Sequence, residues 1–322
     1  MSPRWVVLAP MLALIACILL AGCGSSPANS DQVLIRSGSP QPSPSASPQA
    51  TRGPRQVSLQ RLLSDVTVPP LPGGFASAIP NQNLEDALRG KLAGKPGVSV
   101  VVQNLRDGRS AFIEADIPHR SDGLLQLALL HAAYHQAEAG KLDFAKVVTL
   151  KERHVKADTG TLAFLEMRQG DSYTLRDALI AMVIVGDGAS TEVLFDSIGD
   201  IDKLMASLGL NDSRFDKQPS TTTADDMATL VRAIARPDGI SKEARQDMLE
   251  LLLQEGVRDG IVAGVPSGVA VAHKTAAIGV THDVGLVWGP KGPYIIAVLS
   301  DTPGDWATVA GLSRLVYDYF NP

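Results

Sequence analysis

The stretch that most constrains the fold is "RSDGLLQLALLHAAYHQAEAG", residues 120–140. A few small and polar residues give way at Leu124 to a long, mostly apolar run, which stops at Gly140. Glycine ends helices because it takes up left-handed backbone without steric cost. The pattern predicts a helix over 123–139. A helix apolar over most of its surface has to be buried, so the rest of the chain must enclose it.

The flanking segments supply the enclosure. "NLEDALRGKLAG" has helical spacing, with Asn83 as its cap. "GVSVVVQNL" (97–105) is rich in β-branched residues and ends in "RDGR", which predicts a hairpin turn with "SAFIEAD" as the return strand. Short helical segments fill most of 175–255. Three strands follow, "VAVAHKT" (269–275), "DVGLVWG" (283–289) and "YIIAVLS" (294–300), and "DWATVAGLSRLVYDYF" closes the chain as an amphipathic helix. Early and late strands combine most simply into one antiparallel sheet with the helical block beside it, an α+β or sandwich layout.

The first 57 residues are of another kind. "MSPRWVVLAPMLALIACILLAGC" has Arg4, an apolar stretch from Trp5 to Leu20 and a small pair, Ala21-Gly22, before Cys23. That is the layout of an export signal, and it resembles the bacterial lipobox. Residues 1–22 are therefore expected to be a lipoprotein signal peptide, with Cys23 carrying lipid (palmitate among the acyl chains) on the outer face of the cell membrane. Each buried CH₂ adds about 0.8 kcal/mol, so several acyl chains make a firm anchor. Residues 23–57 contain a Ser/Pro-rich run that cannot bury enough apolar area to offset its ordering entropy, and are expected to be a tether. The folded domain is then 58–322. A net charge of −5, no long basic run and 5% aromatic residues argue against nucleic acid.

Four strings, "LLQLALLHAAYHQAEAGKLDF", "YTLRDALIAMVIVGDGAST", "STTTADDMATLV" and "VAHKTAAIGVTHDVGLV", occur in that order. Together they resemble the class A β-lactamase-like, penicillin-recognising serine hydrolase family over about 83–320. The resemblance implies an α+β fold: an antiparallel sheet flanked by terminal helices, with an adjoining all-helical subdomain at about 120–260. It also implies four motifs. The nucleophilic Ser of S-x-x-K falls on Gly123 and its Lys on Gln126, so neither an acyl acceptor nor an amine stands there. S-D-N falls on Gly186-Asp187-Gly188, where Asp187 is expected to hold a turn. The loop that carries the deacylating Glu is reduced to Lys217, Gln218 and Pro219 between Asp216 and Ser220. K-T-G survives as Lys274-Thr275-Ala276, where the Lys and Thr would draw an anionic ligand, although a solvated strand lysine is the plainer expectation.

No replacement constellation emerges from the residues. Ser121 is not at helical spacing from Gln126 and is expected to be a solvated N-cap. His131 and His135, with Glu138 a turn further on, have the spacing of a metal pair, but packed sides of a central helix argue against a metal. His273 is expected to face away from Lys274, and His282 with Asp283 to pair locally in a turn. No cofactor is implied. The sequence thus points to an exported, lipid-anchored envelope protein with a degenerate β-lactamase-like domain, leaning away from catalysis. Its expected partners are a peptidoglycan-related ligand, bound near Lys274, Thr275 and Asp187, or an envelope protein. The alternative is a serine hydrolase with a relocated nucleophile.

Overall fold

The computed structural model describes residues 53–236 and 239–322. The expected signal, Cys23 and the tether up to residue 52 lie outside them. No helix among the described residues is long and apolar enough to cross a membrane. The last residues assigned to the tether pack on the domain: the Val57 N–H donates to the Ser172 carbonyl at 2.7 Å, and the Arg55 N–H to Asp171 Oδ1 at 3.0 Å.

Six strands form the sheet: β1 (Ile79–Pro80), β2 (Val98–Asn104), β3 (Arg109–Ile113), β4 (Val271–Ala276), β5 (Thr281–Gly289) and β6 (Gly292–Ser300), in the order β1-β3-β2-β6-β5-β4. All neighbours are antiparallel except β1, which runs parallel to β3. That edge was not expected from the pattern, because two residues carry no period. Pro80 lacks an N–H, which suits an edge position. The predicted hairpin and the three late strands are present.

Alternation sorts the sheet's two faces. Val98, Val100, Val102, Tyr294, Ile296 and Val298 pack with Leu84 and Leu88 of α1 (Gln82–Lys91) and Leu312, Val316 and Phe320 of α7 (Trp306–Phe320). Val101, Leu286, Ile295, Ala297 and Leu299 pack into the helical part. That part is built around α2 (Leu125–Glu138), every residue of which from Leu125 to Tyr134 is buried. Around it stand α3 (Leu175–Val185), α4 (Gly188–Ile198), α5 (Ala224–Ala235) and α6 (Lys242–Leu253). The fold is thus the expected α+β arrangement, with terminal helices on one face of the sheet and helices on the other. The cap of α1 is Asn81 rather than Asn83: its side chain accepts from the Leu84 N–H at 3.0 Å, two residues earlier than periodicity alone suggested.

Ile296 sits mid-strand between the terminal helices with no exposed surface. Ile296→Ala is expected to lower unfolding stability by about 2–5 kcal/mol through lost transfer energy and a residual cavity. Denaturant titration measures this; a loss below 1 kcal/mol would mean that the two layers repack freely.

Candidate functional site

The head of α2 is a tight turn. Asp122 has φ of +44°, a left-handed conformation that costs a non-glycine residue on the order of 1 kcal/mol. Gly123 follows. A Cβ built on Gly123 would lie 2.7 Å from the Thr275 carbonyl oxygen and 3.2 Å from Ala276 Cα. Strand β4 therefore rests directly on the helix backbone, in the space that any side chain would need. One turn on, Gln126 Nε2 donates to Thr191 Oγ1 at 2.9 Å, while Gln126 Oε1 is buried without a partner.

The 186–188 turn has similar reasons for its glycines. Gly186 ends α3 at φ of +68°. A Cβ on Gly188 would lie 2.0 Å from the Ala157 carbonyl oxygen, so the 157–161 segment presses on the first turn of α4. Between them, Asp187 caps α4. It accepts from the Ser190 N–H at 2.7 Å and from the Thr161 hydroxyl. Burial pushes its carboxyl up, and the bonds from Ser190 and Thr161 oppose that.

Lys274 is neither solvated nor turned to an open cleft. It is 1% exposed, and Nζ lies 3.2 Å from Oε1 of Glu255, which is itself 2% exposed. Thr275 Oγ1 donates to the same oxygen at 2.8 Å. Glu255 Oε2 accepts from the Val257 N–H at 3.1 Å and lies 3.5 Å from His273 Nε2. His273 and Lys274 still leave β4 on opposite faces, as alternation implies; Glu255, at the free edge of this edge strand, lies within reach of both. His273 Nδ1 bonds Asp283 Oδ1 at 2.9 Å, so Asp283 serves His273 and not the neighbouring His282. Burial alone would lower the pKa of His273, but the carboxylates of Asp283 and Glu255 outweigh it and raise it. Glu255 escaped sequence reasoning. A glutamate after an apolar helix has no spacing signal that ties it to a strand 19 residues on.

Ser121 is fully buried and makes no side-chain cap. Its Oγ is 2.6 Å from Ser220 Oγ, because its backbone pairs with the 220–222 segment. His131 has a buried, unpartnered Nδ1, and burial, then His135, lower its pKa to about 4. Among the described residues no group of three or more His, Cys, Asp and Glu could hold a metal ion. One Ser-His-Asp set does assemble. Ser99 Oγ is 2.8 Å from His119 Nε2, and His119 Nδ1 is 2.8 Å from Asp301 Oδ1. Ser99 is 0% exposed, however, and its hydroxyl donates to the Glu114 carbonyl at 2.5 Å. Its one proton is given to a carbonyl inside the fold and solvent does not reach it, so the three groups form a structural link.

Against this geometry, the profile described as "Beta-lactamase enzyme family" matches residues 82–320. The chain belongs to the Beta-lactamase enzyme family. A β-lactamase of Bacillus licheniformis is 26% identical over 260 residues, covering 73% of this chain and 80% of that one. A structure of PBP-A superposes with a TM-score of 0.71 at 22% identity, covering 76% of this chain and 98% of the other. A β-lactamase from Sphaerobacter thermophilus gives 0.67 at 21% identity, covering 74% and 97%. At this identity the structural likeness shows the family's fold. Gly123 stands at the head of the buried helix, Asp187 in the turn between α3 and α4, and Lys274-Thr275 on the strand against the helix head.

Two outcomes follow from these contacts. Gly123→Ser, alone or with Gln126→Lys, is expected to destabilise the domain, because its Cβ meets a backbone carbonyl that cannot rotate away. The double variant is expected to hydrolyse a chromogenic cephalosporin no faster than buffer; a wild-type melting temperature with measurable turnover would show the helix head to be more open than described. The second outcome concerns His282. Its Nδ1 accepts from the Ser300 N–H at 3.0 Å and its Nε2 donates to the Arg120 carbonyl at 2.9 Å, so a second proton would break the first bond. Burial, foremost, puts its pKa at about 4 against 6.5. A histidine with a lowered folded pKa contributes full stability above its unfolded value and loses it as pH falls, here across 6.5 to 4, by roughly 3 kcal/mol. Urea titrations across that window check this, and His282→Asn should flatten the profile; an unchanged slope in the variant would assign the sensitivity elsewhere.

Proposed function

We propose that this protein is a lipid-anchored cell-envelope protein, held at Cys23, whose β-lactamase-like domain has left acyl transfer and binds instead. The observation that carries this reading is the contact of Gly123 with strand β4. The nucleophile position has no side chain, and the space for one is filled by the Thr275 carbonyl. Three further positions support it. Gln126 replaces the amine, Gly186 the relay hydroxyl, and no glutamate stands between Asp216 and Ser220. Removing such groups from a serine hydrolase costs orders of magnitude in rate, and the losses act as a unit. The occupant proposed is a cell-wall-related ligand or an envelope protein partner.

The test is direct. The domain is incubated with a labelled penicillin and its intact mass measured, in parallel with melting curves against a panel of muropeptides. Unchanged mass with a muropeptide-dependent rise in melting temperature is expected. A covalent adduct on any Ser or Thr would restore the protein to the acylating enzymes and sink the proposal.

A further inference from the structure

A strap of chain that precedes α1 closes over one end of the sheet. Ala270, Trp288 and Pro293 stand side by side there: the Trp288 N–H donates to the Ala270 carbonyl at 3.0 Å, and Trp288 is the register partner of Pro293. Alternation puts this row on the face toward the helical part, since Val271, Val287 and Tyr294 beside it pack with the terminal helices. Residues 69–72, Pro-Pro-Leu-Pro, face the row across a cleft of about 560 Å³. The strap is held on both sides of these prolines. Val68 and Phe75 pack against the main core, the Ala76 N–H donates to the Leu105 carbonyl at 3.0 Å, and the Ala76 carbonyl accepts from Gln103 Nε2 at 3.2 Å and Arg232 Nη2 at 3.1 Å. One wall of the cleft thus comes from chain that precedes residues 82–320, the stretch that matches the family, and no lining residue is shared with the group around Lys274.

The lining is rigid and one-signed. Five of the lining residues are prolines, whose rings fix the backbone and keep the walls from collapsing inward, and the half-buried Trp288 adds a flat aromatic surface. The one charged lining residue is Arg106. Its stem lies along Gly292, where an added Cβ would be 3.3 Å from Arg106 Cβ. The adjoining Asp107 is taken by Arg109 at 2.9 Å, and Arg106 forms no ion pair among the described residues. We infer that this cleft is a second binding site, for a small anion with a flat apolar body. The body lies between the prolines and Trp288, and its carboxylate meets the Arg106 guanidinium. Small-molecule sites have this make-up, mostly apolar walls of roughly 300–1,000 Å³ with a few polar groups that orient the ligand. A cation of the same shape meets a like charge, and a bare anion gains nothing from the walls.

Calorimetric titration of the full chain with three probes tests this. Naphthalene-1-acetate has the body and the charge, 1-naphthylmethylamine the body with the opposite charge, and acetate the charge alone. Naphthalene-1-acetate is expected to bind with a Kd of about 1 mM or below, in keeping with its size. The amine and acetate are expected to bind at least about tenfold more weakly. Arg106→Gln should weaken the carboxylate by about fivefold and leave the amine no weaker than before. Arg106 is exposed, so this variant should keep the wild-type melting temperature. Arg89→Gln, on α1, controls for net charge and should bind as wild type does. Trp288→Leu, which stays apolar but loses the flat ring, should also weaken naphthalene-1-acetate. A carboxylate bound no more tightly than the amine, an Arg106→Gln affinity equal to that of wild type, or no binding of naphthalene-1-acetate at several millimolar overturns the inference. The comparison of carboxylate with amine is made on the wild type, so it decides the matter even where a variant folds poorly.

Discussion

Strand β4 lies so close to the first turn of the buried helix that the Thr275 carbonyl would be 2.7 Å from a Cβ on Gly123, and much else follows from this one contact. Close approach of two backbones removes the volume in which a nucleophile would sit. It also brings Lys274 and Thr275 inward, where an unpaired ammonium would be costly. Glu255 then becomes necessary as the counter-charge. The same strand carries His273, so Asp283 is drawn in from β5, and two bases and two acids end in one dry cluster. A buried pair is weak evidence for stability but strong evidence for a fixed arrangement, since breaking it strands a charge.

The glycines show how one residue type serves separate ends. Gly123 and Gly188 admit neighbouring backbone, at Thr275 and Ala157 respectively, whereas Gly186 has open space around it and is needed for its positive φ. A side chain at these positions therefore meets different obstacles, two of packing and one of conformation. Asp187 stands between Gly186 and Gly188 and caps α4, accepting from the Ser190 N–H. The Ser99–His119–Asp301 relay teaches a complementary point. Distances that would suit catalysis link central strand β2, the 119–120 segment and the residue after β6 here, because the Ser99 hydroxyl donates to a carbonyl and solvent does not reach it.

Periodicity and order made the fold legible: the apolar run at 124–139, the hairpin around "RDGR" and three late strands with a closing helix are local patterns, and each corresponds to an element. The candidate site was legible in identity, since an absent side chain at Gly123 is a fact of sequence. Its surroundings were not. Lys274 gave no sign of burial, Ser121 looked like a cap, and His282 and Asp283 looked like partners because they are adjacent. Each of those expectations used distance along the chain, while the contacts that replaced them join residues from 10 to 162 positions apart.

The sequence by itself determined which chemical groups are present and which helices and strands they ride on, because period, capping and turn residues act over a few positions. Only the tertiary structure decided what those groups do. Whether a lysine meets water, a ligand or a glutamate depends on how closely a strand settles on a helix, and that distance is set by packing between segments far apart in the chain.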